Sequence, residues 1–141
     1  MEGIAKGYYE NGNLAYEINY KNDKENGISK SYYKSGVLET ELNWKDGEQS
    51  GLQKRYYESG SLESVRDDDV FKQYYENGKL KHEENYKEGV RNGPIKWYSE
   101  AGNLIQEMDF EDGKPKDIKC YDENGKLLSD DEREFYMYEA L

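Results

Sequence analysis

One histidine and one cysteine leave this chain of 141 residues little with which to perform acid–base or nucleophilic chemistry. A histidine base needs a nucleophile or substrate group within hydrogen-bond reach, and no nucleophile recurs near His82. His82 is therefore expected to be a packed or surface imidazole. Cys120 has no His or Asn constellation that would activate a thiol, and no Cys/His cluster exists for zinc. It reads as a small strand residue. Asp67-Asp68-Asp69 is the densest carboxylate run. Calcium needs roughly six to eight oxygens held by a suitable loop, and the spaced ligands of an EF-hand are missing. A solvated acidic turn is the expectation there, because like charges repel and stay hydrated. The glycine-bearing loops lack the Gly-Lys-Ser/Thr and following helix of a phosphate cradle. No enzyme, cofactor or metal site is expected.

Binding chemistry is a different matter. Ile, Leu, Val and Phe supply only 23 of the 141 residues, which excludes a thick aliphatic core, yet there are 15 Tyr. Tyrosine buries area while keeping its hydroxyl near water, so a thin, aromatic-faced structure is open to this chain. The charge is −11, with 20 Lys and Arg against 31 Asp and Glu. That balance argues against nucleic acid and against anionic membranes, and it suits a basic partner. No apolar run is long enough to span a membrane. The N-terminus lacks the basic start and apolar stretch of a secretory signal, and a single Cys fits a reducing compartment. A cytoplasmic chain is expected.

The elements that carry these residues repeat. Six segments share a Tyr followed four residues later by Gly and six later by Leu, starting at Tyr8, Tyr32, Tyr56, Tyr74, Tyr98 and Tyr121. The intervals are 24, 24, 18, 24 and 23 residues, and a Lys stands two residues before every leading Tyr. Each unit reads as a β-hairpin: a short run such as Ile28 to Tyr33, a Gly turn, then an alternating run such as Leu14 to Tyr20 with Leu14, Tyr16, Ile18 and Tyr20 on one face. A second Gly-containing loop leads to the next unit. The third unit lacks six residues here, so Arg66 to Asp69 should form a tighter connection.

Turn type decides which side chains share a face. A two-residue type I′ turn at Asn11-Gly12 would set Lys6 opposite Glu17 and Lys30 opposite Glu41. That turn needs positive φ at both central residues, where three copies put Ser35, Ser59 or Ala101 first. A type I turn closed by a Gly bulge needs it only at the Gly. The bulge register is favoured, and it pairs Tyr8 with Leu14, Lys6 with Tyr16 and Ile4 with Ile18. Beyond Leu128, Ser129-Asp130-Asp131-Glu132 has the form of a capping box, predicting a C-terminal helix within 129–141 after an array over 1–128. Phe135, Met137, Tyr138 and Leu141 would lay an apolar stripe on the last hairpin.

A period of about 23 residues built on Tyr-x-x-x-Gly-x-Leu resembles the MORN repeat. The form Tyr74-Tyr75-Glu76-Asn77-Gly78-Lys79-Leu80, with Asn85-Tyr86-Lys87-Glu88-Gly89, resembles the bacterial MORN variant of YwqK-type antitoxin proteins. The resemblance implies an all-β, elongated, twisted antiparallel sheet of stacked hairpins, and it implies no catalytic residues. About twelve short strands are expected. It also implies an antitoxin or immunity protein that occludes a toxin, here a basic one met by an acidic, Tyr-rich face. The leading tyrosines are expected to stack across hairpins as the glue of the sheet. Tyr32, Trp44, Tyr56, Tyr74, Tyr86, Trp97 and Tyr98 are the candidate contact residues, with Trp44 and Trp97 foremost. The alternatives are a self-assembling or structural scaffold of identical copies and, against the charge, a membrane-surface module.

Overall fold

The computed structural model describes the backbone of residues 1–137 and side chains through Arg133. Alternating strand-forming runs punctuated by Gly turns leave this chain only one way to satisfy its backbone, which is to pair each run with the next. The result is a single antiparallel sheet of fourteen strands in chain order. The first hairpin is β1 (Gly3–Tyr8) and β2 (Leu14–Lys21), with a two-residue β3 (Lys24–Glu25) in the loop that follows. The second is β4 (Gly27–Tyr32) and β5 (Leu38–Lys45), followed by β6 (Glu48–Gln49). The third is β7 (Gln53–Tyr56) with β8 (Leu62–Arg66), and the fourth is β9 (Val70–Tyr74) with β10 (Leu80–Lys87), trailed by β11 (Val90–Arg91). β12 (Gly93–Tyr98) and β13 (Leu104–Glu111) form the fifth, and β14 (Lys114–Cys120) opens the sixth.

The expected twelve strands become eleven long ones and three two-residue pieces. The sixth hairpin never completes its return strand, which shrinks to the bridge between Tyr121 and Leu127. A helix, α1 (Asp130–Met137), follows instead. Ser129 and Glu132 close the expected capping box, with the Ser129 N–H and hydroxyl both donating to the Glu132 carboxylate at 2.8 and 3.0 Å. Arg133 reaches back to the carbonyls of Ile118 and Leu128 and ties the helix to the last strand. The apolar stripe expected along the helix lies outside the described side chains.

The hairpin turns have the expected chemistry. In the first, Gly12 N–H donates to Tyr9 O at 2.9 Å and Tyr9 N–H to Asn13 O at 2.8 Å, with Gly12 at φ 87°. Tyr8 then pairs with Leu14, as expected. Beyond that pair the expected register fails. The ladder shifts by one residue at Ala15, so Gly7 faces Tyr16, Lys6 faces Glu17 and Ile4 faces Asn19, and not Tyr16 and Ile18 opposite Lys6 and Ile4. The same shift sets Lys30 opposite Glu41, Lys72 opposite Glu83 and Lys96 opposite Glu107. The physical reason is a second bulge just after the turn: one inserted residue exchanges the faces of everything beyond it. Leu14 consequently shares a face with Tyr8 and not with Tyr16. Type I′ turns do occur, on the other edge of the sheet, where Asp46 and Gly47 both hold positive φ of 53° and 88°.

The shortened third connection is tight. Asp67 N–H bonds Val70 O at 3.0 Å, and the Asp67 carboxylate accepts the N–H groups of Asp69 and Val70 at 2.9 and 2.8 Å. Asp67, Asp68 and Asp69 are exposed, as a solvated turn should be.

Two faces result, with different characters. The ladder face carries the leading tyrosines with the Lys–Glu rows, including ion pairs Lys6–Glu17 at 2.6 Å and Lys72–Glu83 at 3.2 Å. Glu41 is shared by Lys30 and Lys54 at 3.9 and 3.7 Å. The opposite face holds every strand residue that is closely buried: Ser29, His82, Glu84, Ile95 and Cys120. We call it the packed face.

The leading tyrosines do not stack on one another. Successive copies are two strands apart, about 9–10 Å at ordinary strand spacing, which exceeds the reach of ring stacking. The second tyrosine of each Tyr-Tyr pair joins the hairpins instead. Tyr9, Tyr33, Tyr57 and Tyr75 donate their hydroxyls to the carbonyls of Tyr32, Tyr56, Tyr74 and Tyr98, at 2.6, 2.7, 2.7 and 2.7 Å.

Candidate protein-contact site

Strand alternation divides the seven expected contact residues between the two faces. Tyr32, Tyr56, Tyr74 and Tyr98 lie with the lysines on the ladder face, whereas Trp44, Tyr86 and Trp97 lie on the packed face. They do not form one platform. The ladder face is not acidic either, since its recurrent rows hold six lysines and four glutamates. The chain's negative charge is concentrated at the turns: exposed Glu10, Glu58, Glu76 and Glu100 line one edge, and Asp23, Asp46, Asp67 to Asp69 and Asp112 line the other.

The packed face in the third to fifth hairpins carries a cluster that sequence reasoning overlooked. β10 places His82, Glu84 and Tyr86 on alternate positions of this face. Position 84 holds Ile18, Leu42 and Met108 in other copies. A buried carboxylate there requires partners, and it has them. His82 Nε2 lies 2.7 Å from Glu84 Oε1, the Tyr86 hydroxyl donates to Oε2, and Arg91 donates to both oxygens at 3.2 and 3.3 Å. Burial pushes the Glu84 carboxyl up, but hydrogen bonds from Tyr86, His82 and Arg91 outweigh it and hold it below the ordinary glutamate value. Burial, reinforced by Glu84, pushes the Tyr86 phenol up.

Aromatic rings wall this network. His82 sits between Phe71, centroid to centroid 6.0 Å, and Trp97, at 4.8 Å. Its Nδ1 faces the Lys96 carbonyl at 3.2 Å. Both ring nitrogens thus point at oxygens of the protein itself. The Arg66 guanidinium lies over both Phe71 and Tyr86 at 5.9 Å, and Arg91 lies over Phe110 at 5.8 Å. Part of the signal was in the aligned copies: Arg66 and Glu84 interrupt the otherwise apolar column of Ile18, Leu42 and Met108, whereas His82 and Trp97 stand in columns where every copy differs.

Cys120 is buried beside β13, and burial pushes its thiol up, away from the thiolate a nucleophile needs. Among the described residues no group of three or more His, Cys, Asp or Glu could hold a metal ion, and no helix is long and apolar enough to cross a membrane.

An open antiparallel sheet of consecutive hairpins, carrying polar–aromatic clusters where the repeat is broken, defines a tandem-hairpin repeat module. The MORN repeat variant matches the chain six times, over residues 1–22, 25–46, 49–66, 70–88, 91–112 and 114–134. The chain belongs to that family. No curated protein matches it. As a MORN array it is a module for binding or scaffolding.

Proposed function

We propose that the chain is a non-catalytic protein-binding module whose contact surface is the packed face around Trp97, His82, Tyr86 and Arg91. The observation that carries this is the convergence of residues peculiar to single copies, namely Arg66, His82, Glu84, Arg91 and Trp97. A repeat needs only its recurrent Tyr, Gly, Leu and Lys to propagate, so residues peculiar to single copies are free to serve another purpose. Here they meet at one place, beside Tyr86 of the recurrent aromatic row, and Trp, Tyr and Arg are the types that dominate interface energetics. Arg66 and Arg91 present flat guanidinium groups already held by rings or by Glu84, so little side-chain entropy is lost on docking.

In its finer form the proposal is an antitoxin or immunity protein that occludes a basic toxin. Its support is the −11 charge, which would speed encounter with a basic surface while the packed face desolvates. The test is a photo-crosslinking amino acid placed at Trp97 or, on the opposite face, at Tyr56. Adducts from position 97 and none from position 56 are expected, and the reverse pattern would overturn the assignment. A crosslinked protein whose toxicity is suppressed by the wild-type chain, and not by Trp97→Ser, is expected for the antitoxin form.

A further inference from the structure

The packed face contains a second aromatic row, Tyr20, Trp44, Tyr86 and Phe110, one ring at the end of each full-length return strand. Two of these rings carry a cation supplied by the chain itself: Arg66 over Tyr86 at 5.9 Å and Arg91 over Phe110 at 5.8 Å. Among the described residues, no cationic side chain lies over Trp44. Tyr20 also carries none, but indole is the ring with the strongest attraction for a cation, so Trp44 is the better of the two open sites.

The repeat explains what stands there instead. Arg91 pairs with Tyr86, and its carbonyl accepts the Gly113 N–H at 3.0 Å, which sets it beside Phe110. Glu25 is its counterpart three repeats earlier: it pairs with Tyr20, and its carbonyl accepts the Gly47 N–H at 2.9 Å, which sets it beside Trp44. The same backbone position thus carries a cation next to Phe110 and an anion next to Trp44. The neighbouring lysines do not compensate, because alternation puts Lys21 and Lys45 on the ladder face.

We propose that Trp44, with the Glu25 carboxylate beside it, receives an arginine or lysine side chain from a basic segment of the partner protein. This rests on the protein-binding reading and adds the partner's chemistry. The incoming cation takes the place that Arg91 holds over Phe110 and gains an opposite charge as well. The chain's charge of −11 favours the approach of such a segment over an acidic one.

The experiment follows the two indole N–H resonances of the isotopically labelled 141-residue chain during titration with octa-arginine, with octa-glutamate as control. A saturable shift of the Trp44 resonance with octa-arginine alone is expected, weakening as salt is added. Glu25→Gln should bind about fivefold more weakly, as the loss of one partly exposed ion pair implies. Glu25→Arg should abolish the shift, because the chain then fills its own site. An unmoved Trp44 resonance overturns the proposal. So does a shift that persists in Glu25→Arg, since that would be diffuse attraction to an acidic protein. Either failure leaves the crosslinking result at Trp97 untouched, so the broader reading stands or falls separately.

Discussion

The Tyr75 hydroxyl donates to the main-chain carbonyl of Tyr98, one hairpin further on, at 2.7 Å. The bond crosses between units and not within one, and it recurs at the first four junctions of the array. At the fifth junction Ser99 replaces the second tyrosine and cannot reach. A one-layer sheet has few contacts between hairpins beyond its backbone ladder, so such a bond matters more here than in a thick core.

Removing one of these hydroxyls should therefore weaken its junction. Tyr9→Phe and Tyr75→Phe are each expected to lose about 0.5–1.5 kcal/mol, the net worth of an ordinary internal hydrogen bond. The two junctions are far apart, so the losses should add to within about 0.5 kcal/mol. Urea denaturation of the two single variants and the double variant measures this. No loss in either would mean that the ring, not the hydroxyl, joins the hairpins.

The Lys–Glu ladder has one gap. Val65 stands between Lys54 and Lys72, where the other columns place Glu17, Glu41, Glu83 and Glu107. Val65→Glu should complete the row and stabilise the chain by about 0.2–1 kcal/mol, the range of partly exposed pairs, with the gain fading in high salt. A loss of more than about 1 kcal/mol would instead mark Val65 as packed core.

Much of this architecture was legible in the residues, and the reasons for the exceptions are local. The period, the six hairpins, the short connection at Asp67 and the capping box at Ser129 all follow from turn chemistry and spacing. The Lys6–Glu17 pairing did not, because the bulge at Ala15 leaves no mark of its own: no residue type is common to Ala15, Glu39, Glu63, Lys81 and Ile105. The division of Trp97 from Tyr98 between faces needed only alternation. The cluster around Glu84 needed more, since its members come from strands joined by register, and a one-residue error in register scatters them.

The carboxyl of Glu84 makes stability depend on pH in a defined direction. Its folded-state value is held below the ordinary 4.5. The stability it contributes is thus complete above that ordinary value and is lost as pH falls through the folded one. Glu84→Gln keeps the shape and abolishes the titration. The wild type should lead this variant at neutral pH, and the lead should shrink as pH is lowered below about 4.5. Paired urea titrations across that range decide the matter, and a constant gap would show that the network is indifferent to the charge.

Gly7 and Tyr16 divide the space of their pair unequally, the smallest residue against a large ring. They face each other across the first hairpin, and a Cβ at Gly7 would collide with the Tyr16 ring. Where the column carries a side chain at the first position, the second has no tyrosine: Ser31 faces Thr40, Arg55 faces Ser64 and Trp97 faces Gln106. Gly7→Ser alone should therefore destabilise by about 1–3 kcal/mol, as overpacking does, unless the ring swings outward. Tyr16 is 44% exposed, so the outward path is open and the lower end of that range is expected. Transplanting the second hairpin's pair, Gly7→Ser with Tyr16→Thr, should recover most of the loss, because the collision disappears and a strand glycine is replaced by a residue with less backbone freedom to lose. Equal losses in the single and double variants would mean that Gly7 is required for its backbone and not for the space above it.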